Sequence, residues 1–144
     1  MPKLLVLITG KGALRKAFET AIAKREKTWE AIAARCVFLS AEDYPTLLGC
    51  ADLGVSMHSS SSGRDLPMKV VDMFGCGTPV LAKNFAAIGE LVKDGKNGQV
   101  WSTGEELGNQ IIVSDWVTSR RGLTTGLAQR LPAQPKIVAT PKLL

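Results

Sequence analysis

The chain has 144 residues and a mass of 15.4 kDa, enough for one domain that removes roughly two-thirds of its unfolded surface from water. Apolar residues at 45% and charged residues at 22% exclude wholesale disorder, a collagen-like repeat and a coiled coil, and no run approaches the ~18 apolar residues of a membrane span. The formal charge of +5 belongs to the tail, because residues 1–115 balance 13 basic against 13 acidic side chains while 116–144 hold five basic ones and no acid; basicity is no argument that the domain binds nucleic acid.

In chain order, Leu4-Leu5-Val6-Leu7-Ile8 is apolar on both faces, as a central parallel strand covered by helices requires. The turn Thr9-Gly10-Lys11-Gly12 follows. Leu14, Phe18, Ile22, Trp29 and Ile32 then predict a long helix from Ala13 to about Ala34. Cys36–Leu39 is expected as a second strand. Ser40, three residues before Asp43, has the spacing of a helix cap for a short helix to about Cys50. Leu53–His58 is expected as a third strand, Ser59–Leu66 as a polar loop, and Met68–Gly75 as a helix opened by Pro67. Pro79–Ala82 predicts a fourth strand, Ala87–Val92 a short helix, and Gln99–Trp101 a last short strand. Ser102-Thr103-Gly104-Glu105 then has capping-box spacing before a helix to about Val113.

Strand and helix alternate with connections too long for hairpins. That order predicts an α/β domain with a Rossmann-like parallel sheet and helices on both faces, occupying residues 1–114. Three of the seven prolines fall in the last 13 residues, so 115–144 is expected to be a basic, proline-containing, disordered tail. The start lacks the apolar core and cleavage site of a secretory signal. Three widely spaced cysteines, Cys36, Cys50 and Cys76, suit a reducing compartment and read as core filler.

In such sheets ligands bind outside the carboxyl ends of the strands. Gly10-Lys11-Gly12 lies between a buried strand and a helix, where glycines let backbone approach an anion and Lys11 adds a full charge. The same residues also make an ordinary strand-to-helix turn, and the third glycine of the dinucleotide fingerprint is missing. The loop Ser59-Ser60-Ser61-Ser62-Gly63 before a helix is a second possible cradle. Lys69 and Asp72, three apart on that helix, suit a diphosphate and a ribose diol, or else form a plain surface ion pair. His58 ends a strand and reads as a satisfied core histidine rather than a ligand donor. Glu42-Asp43 reads as the acidic start of a helix.

Gly75-Cys76-Gly77-Thr78-Pro79-Val80 after this helix resembles the donor-binding C-terminal half of GT-B glycosyltransferases. Three longer runs bring the resemblance to one family. They are Ser40-Ala41-Glu42-Asp43-Tyr44-Pro45-Thr46-Leu47-Leu48-Gly49, then Ala51-Asp52-Leu53-Gly54-Val55, and the stretch from Ser60 to Cys76. Together with Ile8-Thr9-Gly10-Lys11-Gly12 they resemble the chitobiosyldiphosphodolichol β-mannosyltransferases over about Pro2–Leu107. The resemblance implies transfer of mannose from GDP-mannose to a dolichol-linked chitobiose, in the assembly of the protein N-glycosylation precursor at the cytosolic face of the endoplasmic reticulum. It implies that Gly10, Lys11 and Gly12 line the donor diphosphate with Ser62 and Gly63 nearby. Lys69 would lie near the diphosphate and Asp72 would hold the ribose. No cofactor or metal is expected.

Two departures stand out. Arg64 occupies the position where many GT-B enzymes have the first acid of a pair, with Asp65 adjacent, and no N-terminal acceptor domain or membrane anchor accompanies the donor half. The expectation is a donor-binding fragment that binds nucleotide weakly and transfers nothing alone, its partner being that missing domain. The rivals are one subunit of a split transferase with a membrane-bound partner, a non-enzymatic flavodoxin- or receiver-like signalling domain, and a tail that binds nucleic acid. Loops of Gly, Ser and Lys lack the acidic cluster of the second, and the neutral domain gives the third no support.

Overall fold

A computed structural model of the chain describes residues 3–59, 62, 64–113 and 136–140. Over these it forms β1 (Leu4–Thr9), α1 (Arg15–Glu26), β2 (Ile32–Val37), α2 (Asp43–Cys50), β3 (Leu53–Ser56), α3 (Met68–Gly75), β4 (Val80–Lys83), α4 (Ile88–Leu91), β5 (Gly98–Trp101), α5 (Gly104–Val113) and β6 (Lys136–Thr140). The six strands make one parallel sheet in the order β2-β1-β6-β3-β4-β5. This is the Rossmann-like α/β architecture that the alternating pattern predicts.

The central strands are apolar on both faces because both are covered. Leu48 of α2, Val70 and Met73 of α3, Ile88 of α4 and Val92 pack with Val80, Ala82 and Ala139 on one side. Leu107 and Ile111 of α5 pack with Leu53, Val55, Leu81, Trp101 and Val138 on the other. Gly54 marks the closest approach of α3 to the sheet, since a Cβ there would meet the Met73 sulfur at 2.3 Å. This contact sets how deep the helix bearing Lys69 and Asp72 sits.

Several boundaries follow the local chemistry. Asp43 N–H donates to Ser40 Oγ at 3.0 Å and the Ser40 hydroxyl donates to Asp43 Oδ2 at 2.8 Å, so the expected cap opens α2. Val70 N–H donates to the Pro67 carbonyl at 2.9 Å at the start of α3. The cap of α5 falls one residue later than the spacing suggested: Glu106 N–H donates to Thr103 Oγ1, and Ser102 N–H donates to the Glu106 carboxylate.

Several expectations are corrected. The first helix ends at Glu26 and not near Ala34, and the second strand begins at Ile32 rather than Cys36. Lys24 and Arg25 complete the last turn. Glu26 then turns to the strand, where Ala34 N–H and the Arg35 guanidinium bind its carboxylate. That backbone N–H first, and the guanidinium second, hold the Glu26 carboxyl below its ordinary range.

The expectation of a tail without structure fails at Lys136–Thr140, which forms β6 between β1 and β3. The reason is that Pro135 and Pro141 bracket Ile137 and Val138, so the prolines punctuate a short β-branched strand instead of interrupting it. The rest of 115–144 lies outside the described residues. Of the cysteines read as core filler, Cys50 is exposed and Cys36 half-buried, while Cys76 is half-buried and packs against the core. Among the described residues, no helix is long and apolar enough to cross a membrane.

Candidate functional site

At the carboxyl ends of β1 and β2, a cavity of about 650 Å³ opens between the strand ends and the helices α2 and α3. Thr9, Gly10 and Lys11 line it from the turn after β1, and Phe38, Leu39, Ser40 and Ala41 from the turn after β2. Tyr44, Pro45 and Leu48 of α2 and Lys69, Asp72, Gly75 and Cys76 from α3 and its end complete the wall. Its size is that of a small-molecule site and its location is where parallel α/β sheets hold ligands.

The turn after β1 is built to expose backbone. Gly10 has φ of +139°, a conformation in which a side chain would be strained, and its N–H donates to the Val37 carbonyl at 3.0 Å. That bond ties the end of β1 to the end of β2 and points Lys11 toward the cavity, where its ammonium lies 4.6 Å from the Phe38 ring centroid. Across the cavity the Lys69 ammonium sits 4.5 Å from the Tyr44 ring centroid and 3.2 Å from Asp72 Oδ2. Both cations thus rest on aromatic faces, contacts worth about 0.5–1 kcal/mol each at exposed sites. The Lys69–Asp72 pair is itself half-exposed, so it adds only a few tenths of a kcal/mol.

The structure therefore brings Gly10, Lys11, Lys69 and Asp72 to one cavity. Gly12 lines an adjoining cleft of about 20 Å³, which shares Thr9 and Gly10 with the cavity and is closed by Leu14, Arg15, Phe18 and Cys36. There, burial first and the Glu19 carboxylate second push the Cys36 thiol upward. Ser62 does not line the cavity; its hydroxyl donates to Asp65 Oδ2 at 3.2 Å and accepts from Arg64 N–H at 3.3 Å. Gly63 lies outside the described residues. His58 is half-buried and edge-on to Phe85, its ring centroid 6.0 Å away. Its Nε2 has no partner among the described residues, so it is not the satisfied core histidine expected.

Sequence reasoning missed the apolar half of the cavity, above all Phe38 and Tyr44. The signal was present in the Ser40 cap, which fixes the start of α2 and so places Tyr44 in its first turn beside the strand ends. The Tyr44 hydroxyl is buried with no hydrogen-bond partner among the described residues. Burial first, then the Asp72 carboxylate, push its pKa up to about 12. A raised pKa favours the protonated fold, so this group contributes stability below its unfolded value near 10 that is lost as pH rises toward 12. As Tyr44 is the only tyrosine, an absorbance titration of tyrosinate reads it directly. A midpoint near 12 in the folded protein and about 10 in denaturant is expected; a folded midpoint near 10 would contradict the burial.

A family model described as Glycosyl transferases group 1 matches residues 2–113, and the chain belongs to that family. Chitobiosyldiphosphodolichol beta-mannosyltransferase of Homo sapiens is 53% identical over 111 residues, which are 77% of this chain and 24% of that protein. The protein of that name in Yarrowia lipolytica is 51% identical over 113 residues, 78% of this chain and 24% of the relative. UDP-glycosyltransferase TURAN of Arabidopsis thaliana is 54% identical over 112 residues, again 78% and 24%. The chain thus spans about a quarter of the length of the curated relatives it matches.

Proposed function

We propose that this chain is the donor-binding part of a mannosyltransferase and that its cavity takes the nucleoside diphosphate of GDP-mannose. One observation carries the reading: residues far apart in sequence supply a glycine turn, two ammonium groups and a carboxylate to one hollow at the carboxyl end of a parallel sheet. Lys11 and Lys69 neutralise the diphosphate, and the glycine turn at Gly10, its N–H held by the Val37 carbonyl, lets the diphosphate approach the backbone closely. Asp72 accepts from ribose hydroxyls. Ser62, Gly12 and Gly63 belong to the same reading as flanking groups that close on the donor. No cofactor or metal takes part.

Transfer of mannose from such a donor leaves charge on the departing diphosphate, which cations and backbone donors stabilise. The acceptor hydroxyl needs a base as well. Asp72 is the only carboxylate among the described lining residues, and in this reading it is engaged by ribose. The 144 residues therefore bind donor weakly without transferring mannose, and an acceptor-binding domain or subunit at the cytosolic face of the endoplasmic reticulum supplies the remainder. Dolichol-linked chitobiose is the acceptor, in line with the names of the mannosyltransferase relatives.

The name of the Arabidopsis relative supports a second reading, in which the donor carries UDP. Calorimetry of the full chain with GDP-mannose and with UDP-glucose separates the two. Tighter binding of GDP-mannose is expected. Preference for UDP-glucose would replace the guanine assignment, and absence of binding by either would remove the donor reading.

A further inference from the structure

One aromatic ring in the cavity wall has no task in the described core. Phe38, in the turn after β2, is 55% exposed and lines the hollow at the strand ends. A phenylalanine left open to water forfeits the gain of burying its face. Tyr44, the other aromatic in the wall, is half-buried and packs against the core cluster beneath α2 and α3. Phe38 belongs to neither of the two described core clusters.

The described cover of the Phe38 ring is a cation, the Lys11 ammonium 4.6 Å from its centroid. The backbone fixes this pairing. Gly10 N–H donates to the Val37 carbonyl at 3.0 Å, so Lys11 and Phe38 each follow one end of the same hydrogen bond. Lys11 makes no ion pair among the described residues, whereas Lys69 is held by Asp72 as well as by the Tyr44 ring. An anion entering the cavity therefore draws Lys11 off more readily than Lys69, and its departure bares an exposed ring.

We infer that Phe38 is the stacking platform for the base of the bound nucleotide, and that Lys11 covers this platform while the cavity is empty. The inference rests on the reading that the cavity takes a nucleoside diphosphate. The diphosphate takes the ammonium off the ring, and the base carried by the same molecule takes the ammonium's place. Binding of the two parts is thereby coupled. Pyrophosphate alone leaves Phe38 bare, and a nucleoside alone must displace Lys11 without giving it a new partner. Stacking uses the π face that every base has. Phe38 therefore selects nucleotides over phosphate anions and sugar phosphates, and not one base over another.

Calorimetry of the full chain with GDP and with pyrophosphate, on wild type, Phe38→Leu and Phe38→Tyr, tests this. Leucine keeps an apolar side chain at this exposed position and removes the π face. Phe38→Leu should bind GDP about five- to tenfold more weakly than wild type. The same variant should bind pyrophosphate about two- to fivefold more tightly, because Lys11 no longer has a ring to leave; general damage to the fold would not produce these opposite shifts. Phe38→Tyr keeps the ring and should bind GDP within about twofold of wild type. The platform is overturned, with the diphosphate reading left standing, by unchanged GDP affinity in Phe38→Leu, by equal losses of GDP and pyrophosphate there, or by equal losses of GDP in both variants. Unchanged pyrophosphate affinity in Phe38→Leu overturns the exchange with Lys11. A wild-type chain that binds neither ligand removes the inference and the reading together.

Discussion

Replacing Lys11 or Lys69 by alanine is expected to weaken GDP-mannose binding by about 10- to 100-fold each, the loss of one charged hydrogen bond to phosphate at ~1.5–3 kcal/mol. The argument rests on where the two ammonium groups wait. Each lies about one ring-width from an aromatic face, Lys11 over Phe38 and Lys69 over Tyr44, and each lines the same hollow. Neither is committed to a strong buried partner, so a diphosphate draws both away at the cost of a weak contact. Both variants should also show a shallower salt dependence, because each removes one screened charge from the encounter. Lys16→Ala, an exposed lysine on α1, should leave affinity unchanged. Calorimetry at fixed ionic strength measures all three; unaltered affinity in Lys11→Ala and Lys69→Ala would take the diphosphate out of this cavity.

Leu48→Ala is expected to destabilise the fold by about 2–5 kcal/mol, the range for truncating a fully buried leucine. Leu48 is 1% exposed and packs with Val70, Met73 and Ala139, so its loss leaves a void between α2, α3 and the sheet. Its backbone is fixed as well, since the Thr78 hydroxyl donates to the Leu48 carbonyl at 2.6 Å, and the helix has little freedom to collapse into the gap. Urea unfolding should show a lower midpoint with an unchanged slope. A loss below about 1 kcal/mol would mean that α2 moves inward freely, and the cavity floor would then be soft.

The sequence made the sheet legible wherever one short element carried one unambiguous pattern. Leu4–Ile8 reads as a covered strand because nothing polar interrupts it, and Met68–Gly75 reads as a helix because Pro67 and Gly75-Cys76-Gly77 bound it. The end of α1 was not legible in the same way. Ile32 and Ala33 fall on the helical period set by Leu14, Phe18 and Ile22, and only the tertiary pairing with Leu4 and Leu5 makes them strand. β6 was hidden for another reason: proline content over a long window masks five residues whose partners lie about 130 residues earlier in β1. Register across such a distance leaves no local trace.

Legibility of the candidate site divides along the same line. Gly10, Lys11, Lys69 and Asp72 stand out by residue type at strand and helix ends, and they converge because all parallel strands end on one side. Phe38 and Tyr44 do not stand out, because aromatic residues near a strand end read as packing until the cavity beside them is seen. Ser62 stood out for its loop, yet its described bonds run to Asp65 and Arg64; serine clusters satisfy their own turns as readily as they greet an anion.

The most direct measurement is an amide NMR titration of the full chain with GDP. Binding in the hollow shared by Lys11, Lys69 and Asp72 predicts the largest shift changes at Thr9–Gly12, at Ser40–Tyr44 and at the start of α3, saturating together with one affinity. Shift changes centred at the amino ends of the strands or on α5, or none at saturating GDP, would contradict it.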